Sequence, residues 1–203
     1  MKNFAKRWVF GAVLAGVAIL ATNQGSATAG FTITLDAGSP TGVGPFTFSY
    51  TASIPVGDQI NAGDFFRIYD FAGYIAGSIA APAGWSTSIA LVNPTPPPNV
   101  ILSHGDDPAI PNLIFTYSGV VPIVGGASVS GFTAQSTFGF LGAIKDFAGR
   151  DTKSTGTTAG TFVDSVGDVR VPGVPEPASL ISGAIGMIVL SGYALRVRRA
   201  RNA

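Results

Sequence analysis

The chain has 203 residues, no cysteine and a formal net charge of +1, and only 11% of its residues are charged. Without cysteine there is no thiol nucleophile, thiolate metal site or disulfide, so stability must come from packing. Residues 30–173 carry five basic side chains against ten aspartates, a net of −5, which excludes a basic footprint for nucleic acid.

Lys2, Lys6 and Arg7 open the chain and precede 14 uncharged, mainly apolar residues, 8–21. That run is short of the ~20 residues a bilayer span requires. A polar stretch and the small residues Ala27, Thr28 and Ala29 follow. The order of charged, apolar and small-residue segments predicts a signal peptide over 1–29, its apolar part helical. Ala27 and Ala29 are the side chains a signal peptidase would recognise, and the mature chain is expected to begin at Gly30.

Residues 30–173 form one expected domain of 144 residues, large enough for a single core. Within it, 61 residues are Gly, Pro, Ser or Thr. No period near 3.6 is sustained, whereas period-two alternation recurs. Phe46, Phe48 and Tyr50 alternate with Thr47, Ser49 and Thr51; Trp85, Thr87 and Ile89 alternate with serines; Leu113, Phe115 and Tyr117 share one face. Nine strands are predicted, at 31–35, 45–53, 64–71, 85–91, 100–103, 112–118, 127–133, 136–140 and 160–166. Many short strands between Gly/Pro turns predict an all-β antiparallel β-sandwich, jelly-roll or Ig-like, with a closed barrel as the alternative. Phe46, Phe48, Ile68, Trp85, Ile89, Leu113 and Phe115 are its candidate core. Pro94, Pro96, Pro97 and Pro98 make 93–99 a stiff extended connection, and 147–161 reads as a long exposed loop or hairpin.

The single imidazole, His104, lies in a loop with Ser103, Asp106 and Asp107. No Gly-x-Ser-x-Gly elbow accompanies it, and one His with two adjacent carboxylates lacks the spacing of known zinc motifs. Asp58, Asn61 and Asp64 miss the calcium-loop pattern. Both segments read as solvated turns. The expectation is therefore no enzyme, no metal and no cofactor.

At the C-terminus, Val174-Pro175-Glu176-Pro177-Ala178-Ser179 leads into an uncharged stretch that ends before Arg196, Arg198, Arg199 and Arg201. Residues 178–195 would make a helix of ~27 Å, barely the hydrocarbon thickness. The arginines would stop transfer and stay cytoplasmic. The basic N-terminus stays there too, so the domain between lies across the membrane. Pro175 and Pro177 hold Glu176 extended, in a form a protease or transpeptidase groove can grip.

These three parts resemble the PEP-CTERM sorting tail, over residues 174–203. The resemblance implies recognition of Val174, Pro175, Glu176 and Pro177 by an exosortase, a membrane transpeptidase that removes the tail. Residues 64–71 and 83–85 are also similar to ectodomains borne by other proteins of that family, most of which lack an assigned activity. The expected protein is exported across the inner membrane of a Gram-negative bacterium, transiently anchored there, and then placed in the cell envelope, at the cell surface or in extracellular matrix. Its partners would be signal peptidase, exosortase and the membrane during processing, and exopolysaccharide thereafter. A non-catalytic structural or adhesive role in a biofilm is the leading expectation. A carbohydrate-binding module using exposed Trp85 or tyrosines is the alternative, and a secreted hydrolase the third.

Overall fold

The computed structural model describes residues 30–91, 97 and 100–173. The expected leader with Ala27 and Ala29, most of the proline-rich connection, and the whole tail from Val174 to Arg201 and beyond lie outside the described residues. Within them the fold is all-β, without a helix. Ten strands form: β1 (Thr32–Leu35), β2 (Phe46–Ile54), β3 (Asp58–Ile60), β4 (Phe65–Ile68), β5 (Trp85–Ala90), β6 (Asn112–Tyr117), β7 (Ile123–Val124), β8 (Ala127–Ser136), β9 (Leu141–Lys153) and β10 (Phe162–Pro172).

All pairings are antiparallel and make two sheets. The smaller has the order β1-β2-β8, the larger β5-β6-β4-β9-β3-β7, with β10 also on β9. Strand β9 organises the larger sheet. One of its edges pairs with β10; the other takes β4 over residues 147–150 and β3 over 152–153.

One core joins the sheets, because the inward positions of the alternating strands are large and apolar. Phe66 of β4 sits at its centre, stacked on Phe115 at 4.8 Å and meeting Phe132 of the smaller sheet edge-on at 4.9 Å. Phe31, Trp85 and Tyr117 extend this aromatic cluster. Such pairs contribute about 0.5–1.5 kcal/mol each beyond the area they bury. Of the candidate core, Phe48, Ile68, Leu113 and Phe115 are fully buried, and Phe46, Trp85 and Ile89 pack against that core partly exposed.

Three of these expectations need correction. Residues 100–103 are not a strand: Val100 and Leu102 belong to a loop packed on Tyr69 and Ala148. Residues 127–133 extend to Ser136 as one strand, β8, whose bulge at Gly131 (φ +93°) shifts the register against Tyr50 and Thr51, and 136–140 is not a strand, since 137–140 lie outside β8. The strand runs on to Ser136 because that buried hydroxyl donates to the Ala72 carbonyl at 2.7 Å. Finally, 147–161 is not one exposed loop but a hairpin, its first part, 147–153, being the second half of β9, paired with β10.

Candidate functional site

Two groups of buried polar residues stand out, and both are built on β9. The first holds the His104 loop. Asp146 is fully buried; its Oδ2 accepts the backbone N–H of His104 at 2.7 Å and its Oδ1 lies 3.2 Å from His104 Nδ1. Asp168 of β10, paired with Asp146 across the hairpin, brings Oδ1 to 3.8 Å from the same nitrogen. His104, Asp146 and Asp168 thus offer three ligand atoms within 4.8 Å of one another.

The companions expected from the sequence, Asp106 and Asp107, point elsewhere. Asp106 accepts from Asn112 Nδ2 at 2.9 Å, and the Asp107 N–H donates to Asp70 Oδ1 at 2.9 Å. Asp70 is the hub. It is the one non-glycine with positive φ among the described residues, at 54°. Its N–H donates to Asn112 Oδ1 at 2.8 Å and its Oδ2 accepts from Lys145 Nζ at 2.7 Å. A left-handed aspartate is uncommon and is held here by partners on three elements. The chemistry of this cluster is therefore loop anchoring: every buried carboxylate in it has a donor. The residues that sequence reasoning missed, Asp70, Asn112, Asp146 and Asp168, carry no local signal: Asp70 follows β4, Asn112 opens β6, and Asp146 and Asp168 meet only through the pairing of β9 with β10.

The second group lies at the far end of β9. Arg150 forms a bidentate pair with Asp164 (2.8 and 3.3 Å) and stands 4.8 Å from the Phe162 ring. The buried Asp164 carboxylate raises the Arg150 pKa further, chiefly through these bonds. Asp64 accepts from the Asn61 N–H at 2.7 Å and from Thr152 Oγ1 at 3.1 Å, while burial still pushes its carboxyl up. Asn61, Asp64, Arg150 and Thr152, with Phe65 and the exposed Phe162, line a cleft of about 400 Å³. Next to it, Lys153 Nζ is bonded to buried Asp58. Asp151 is also fully buried, but neither of its oxygens has a hydrogen-bond partner among the described residues. Desolvation, with the negative charges of Asp58 and Asp64 adding to it, pushes its carboxyl up to about 7.

Trp85 does not form a flat exposed platform. It packs edgewise on Phe66, Tyr117 and Phe132, with ring centroids 4.9–5.7 Å apart. Tyr50 is buried as well, its hydroxyl donating to the Arg170 carbonyl at 3.1 Å and its pKa raised by burial. Compared with known proteins, the chain matches no family model and no curated protein.

Proposed function

We propose that this is an exported, non-catalytic surface or matrix protein, an antiparallel sandwich of jelly-roll or Ig-like type delivered by a leader and released from the membrane by an exosortase. The observation that carries the reading is the order of parts at the C-terminus: Val174, Pro175, Glu176 and Pro177, an apolar stretch of helix-spanning length, then Arg196, Arg198, Arg199 and Arg201. The domain's own chemistry supports it. The sole imidazole is bonded to the carboxylate that pins its loop, and the charged groups lining the cleft are engaged in ion pairs and turns. These bonds serve the fold, holding the His104 loop on β9 and joining β9 to β10.

Glu176→Ala and Pro175→Ala are expected to leave the tail attached while the domain still folds and crosses the membrane. The mass of the protein recovered from the envelope measures this. Normal tail removal in both variants would refute the sorting mechanism.

A second reading, binding of the cell's own polysaccharide, is favoured by one feature. Phe162, 65% exposed, borders a cleft that also presents Asn61 and Arg150, a combination suited to a sugar ring's apolar face and hydroxyls. Retention of the protein on exopolysaccharide from the producing cells, lost in Phe162→Ala, tests it.

A further inference from the structure

Asp151 poses a physical problem that the described residues leave unsolved. A fully buried carboxylate without a donor costs several kcal/mol of desolvation, yet Lys153, the cation whose charge acts on it, is already bonded to Asp58. Asp58 and Asp151 therefore share one ammonium, and Asp64 adds negative charge to the same region. On β10, the Ser165 hydroxyl is buried and equally unpartnered. The cluster is short of one positive charge with several donors.

Gly30 is the residue that meets both orphans. It is buried, and a side chain there would begin 2.8 Å from Asp151 Oδ1 and 2.0 Å from Ser165 Oγ. A side chain there would force Ser165 Oγ aside. The amide nitrogen and an ideal Cβ are both bonded to the same carbon, about 2.5 Å apart, so the Gly30 nitrogen lies within about 5.3 Å of that carboxylate oxygen. The position is fixed by the next residue: the Phe31 ring stands over Gly149, where a Cβ would approach to 2.2 Å, two residues from Asp151 on the same face of β9.

We infer that the α-ammonium created at Gly30 when the leader is cut is the partner of the buried Asp151 carboxylate, so that export processing completes the core of the domain. This rests on the reading that cleavage falls after Ala29. Before the cut, Gly30 offers one uncharged N–H tethered to Ala29. After it, the same nitrogen offers three N–H donors and a full positive charge. Freed from the preceding peptide plane, it turns about a single bond to reach Asp151 and Ser165. The unpaired carboxylate thus marks the uncut chain, and the ion pair marks the mature one.

The test uses the mature protein purified from the envelope. Its mass and N-terminal residue are measured first, and then the rate at which acetylating reagent modifies its α-amine near pH 7, natively and in urea. The pair predicts native modification at least about tenfold slower than in urea, because the amine reacts only through local opening. Asp151→Asn, and independently Gly30→Ala, whose methyl would collide with Ser165 Oγ, should restore the fast rate in the folded protein. A chain that begins at Gly30 but whose native α-amine reacts as fast as in urea overturns the pairing and leaves the leader reading intact. A chain that begins elsewhere overturns the leader reading, and the pairing with it. Even if neither variant folds, the unmutated protein decides the matter: a paired α-amine titrates higher natively than in urea, whereas one that is merely buried titrates lower.

Discussion

Asp146→Ala set beside His104→Ala separates an anchoring role from a catalytic or metal-binding one. Asp146 is buried and takes two bonds from His104, the shorter of them, 2.7 Å, from the backbone. Bonds to a charged acceptor contribute about 1.5–3 kcal/mol each. Removing the carboxylate loses both and strands a backbone N–H, a cost of about 2–4 kcal/mol after relief of its own desolvation. His104→Ala keeps the backbone bond and loses only the contact of a side chain 37% exposed, which is screened by solvent and amounts to less than about 1 kcal/mol. Urea denaturation of the purified protein reads the difference. At a slope of ~2 kcal/mol/M, the midpoint should fall by about 1–2 M for Asp146→Ala and by less than ~0.5 M for His104→Ala. Limited proteolysis should cut the 100–111 loop faster only in the first. The reasoning is refuted if His104→Ala is the more damaging variant. It is refuted equally if a chelator lowers the midpoint of the parent but not of His104→Ala, since a cation held by His104, Asp146 and Asp168 would then be the source of stability.

Phe66→Ala removes the ring shared by four aromatic partners and should cost about 3–5 kcal/mol, visible as a midpoint shift in the same denaturation. Trp85→Ala should lower stability by about 3 kcal/mol, whereas Phe162→Ala should change it by less than ~0.5 kcal/mol; polysaccharide retention that falls with Trp85→Ala while the fold is intact would overturn the core assignment. In a precursor whose leader is retained by Ala29→Phe, Asp151 faces an uncharged amide, and its carboxyl sits up at about 7 rather than ~4 when unfolded. The native state then holds a proton that the unfolded state has released between pH ~4 and ~7. The Asp151 contribution to stability therefore falls as pH rises through that window and is level above it. Comparison of the precursor with its Asp151→Asn variant isolates this slope, and the mature protein should show much less of it.

The strands that were legible in the sequence are those whose inward faces are apolar. In β2, β5 and β6 the alternation of aromatic and hydroxyl residues follows the pleat and names the core side chains correctly. Strand β9, on which the larger sheet depends, was hidden by its inward series Phe147, Gly149, Asp151 and Lys153. Gly149 is small because Phe31 lies on it, and the two charged residues serve the cluster around Asp58. The short strands β3 and β7 pair over two residues and leave no period to read. The His104 loop was found as a loop, but its true partners, Asp146 and Asp168, are about 40 and 60 residues away and adjacent only through the β9–β10 hairpin. Contacts made across strands carry no local spacing, so sequence proximity favoured Asp106 and Asp107 instead.

The charge distribution has a physical consequence for the proposed role. Lys145, Arg150 and Lys153, three of the domain's five basic residues, are paired with the buried carboxylates of Asp70, Asp164 and Asp58. Charge that is scarce in the sequence is thus spent mainly on joining strands. The exposed faces are left mainly with serines, threonines, a few charged residues and apolar side chains such as Val43, Val56 and Ile101. Such a surface lacks the concentrated field that steers charged ligands to one spot. It can still form many weak hydrogen bonds with a hydrated, hydroxyl-rich polymer, and binding of that kind is distributed. On this account, retention in a matrix should weaken gradually as surface hydroxyls are removed, with no single polar residue decisive, whereas an enzyme's activity collapses with one group.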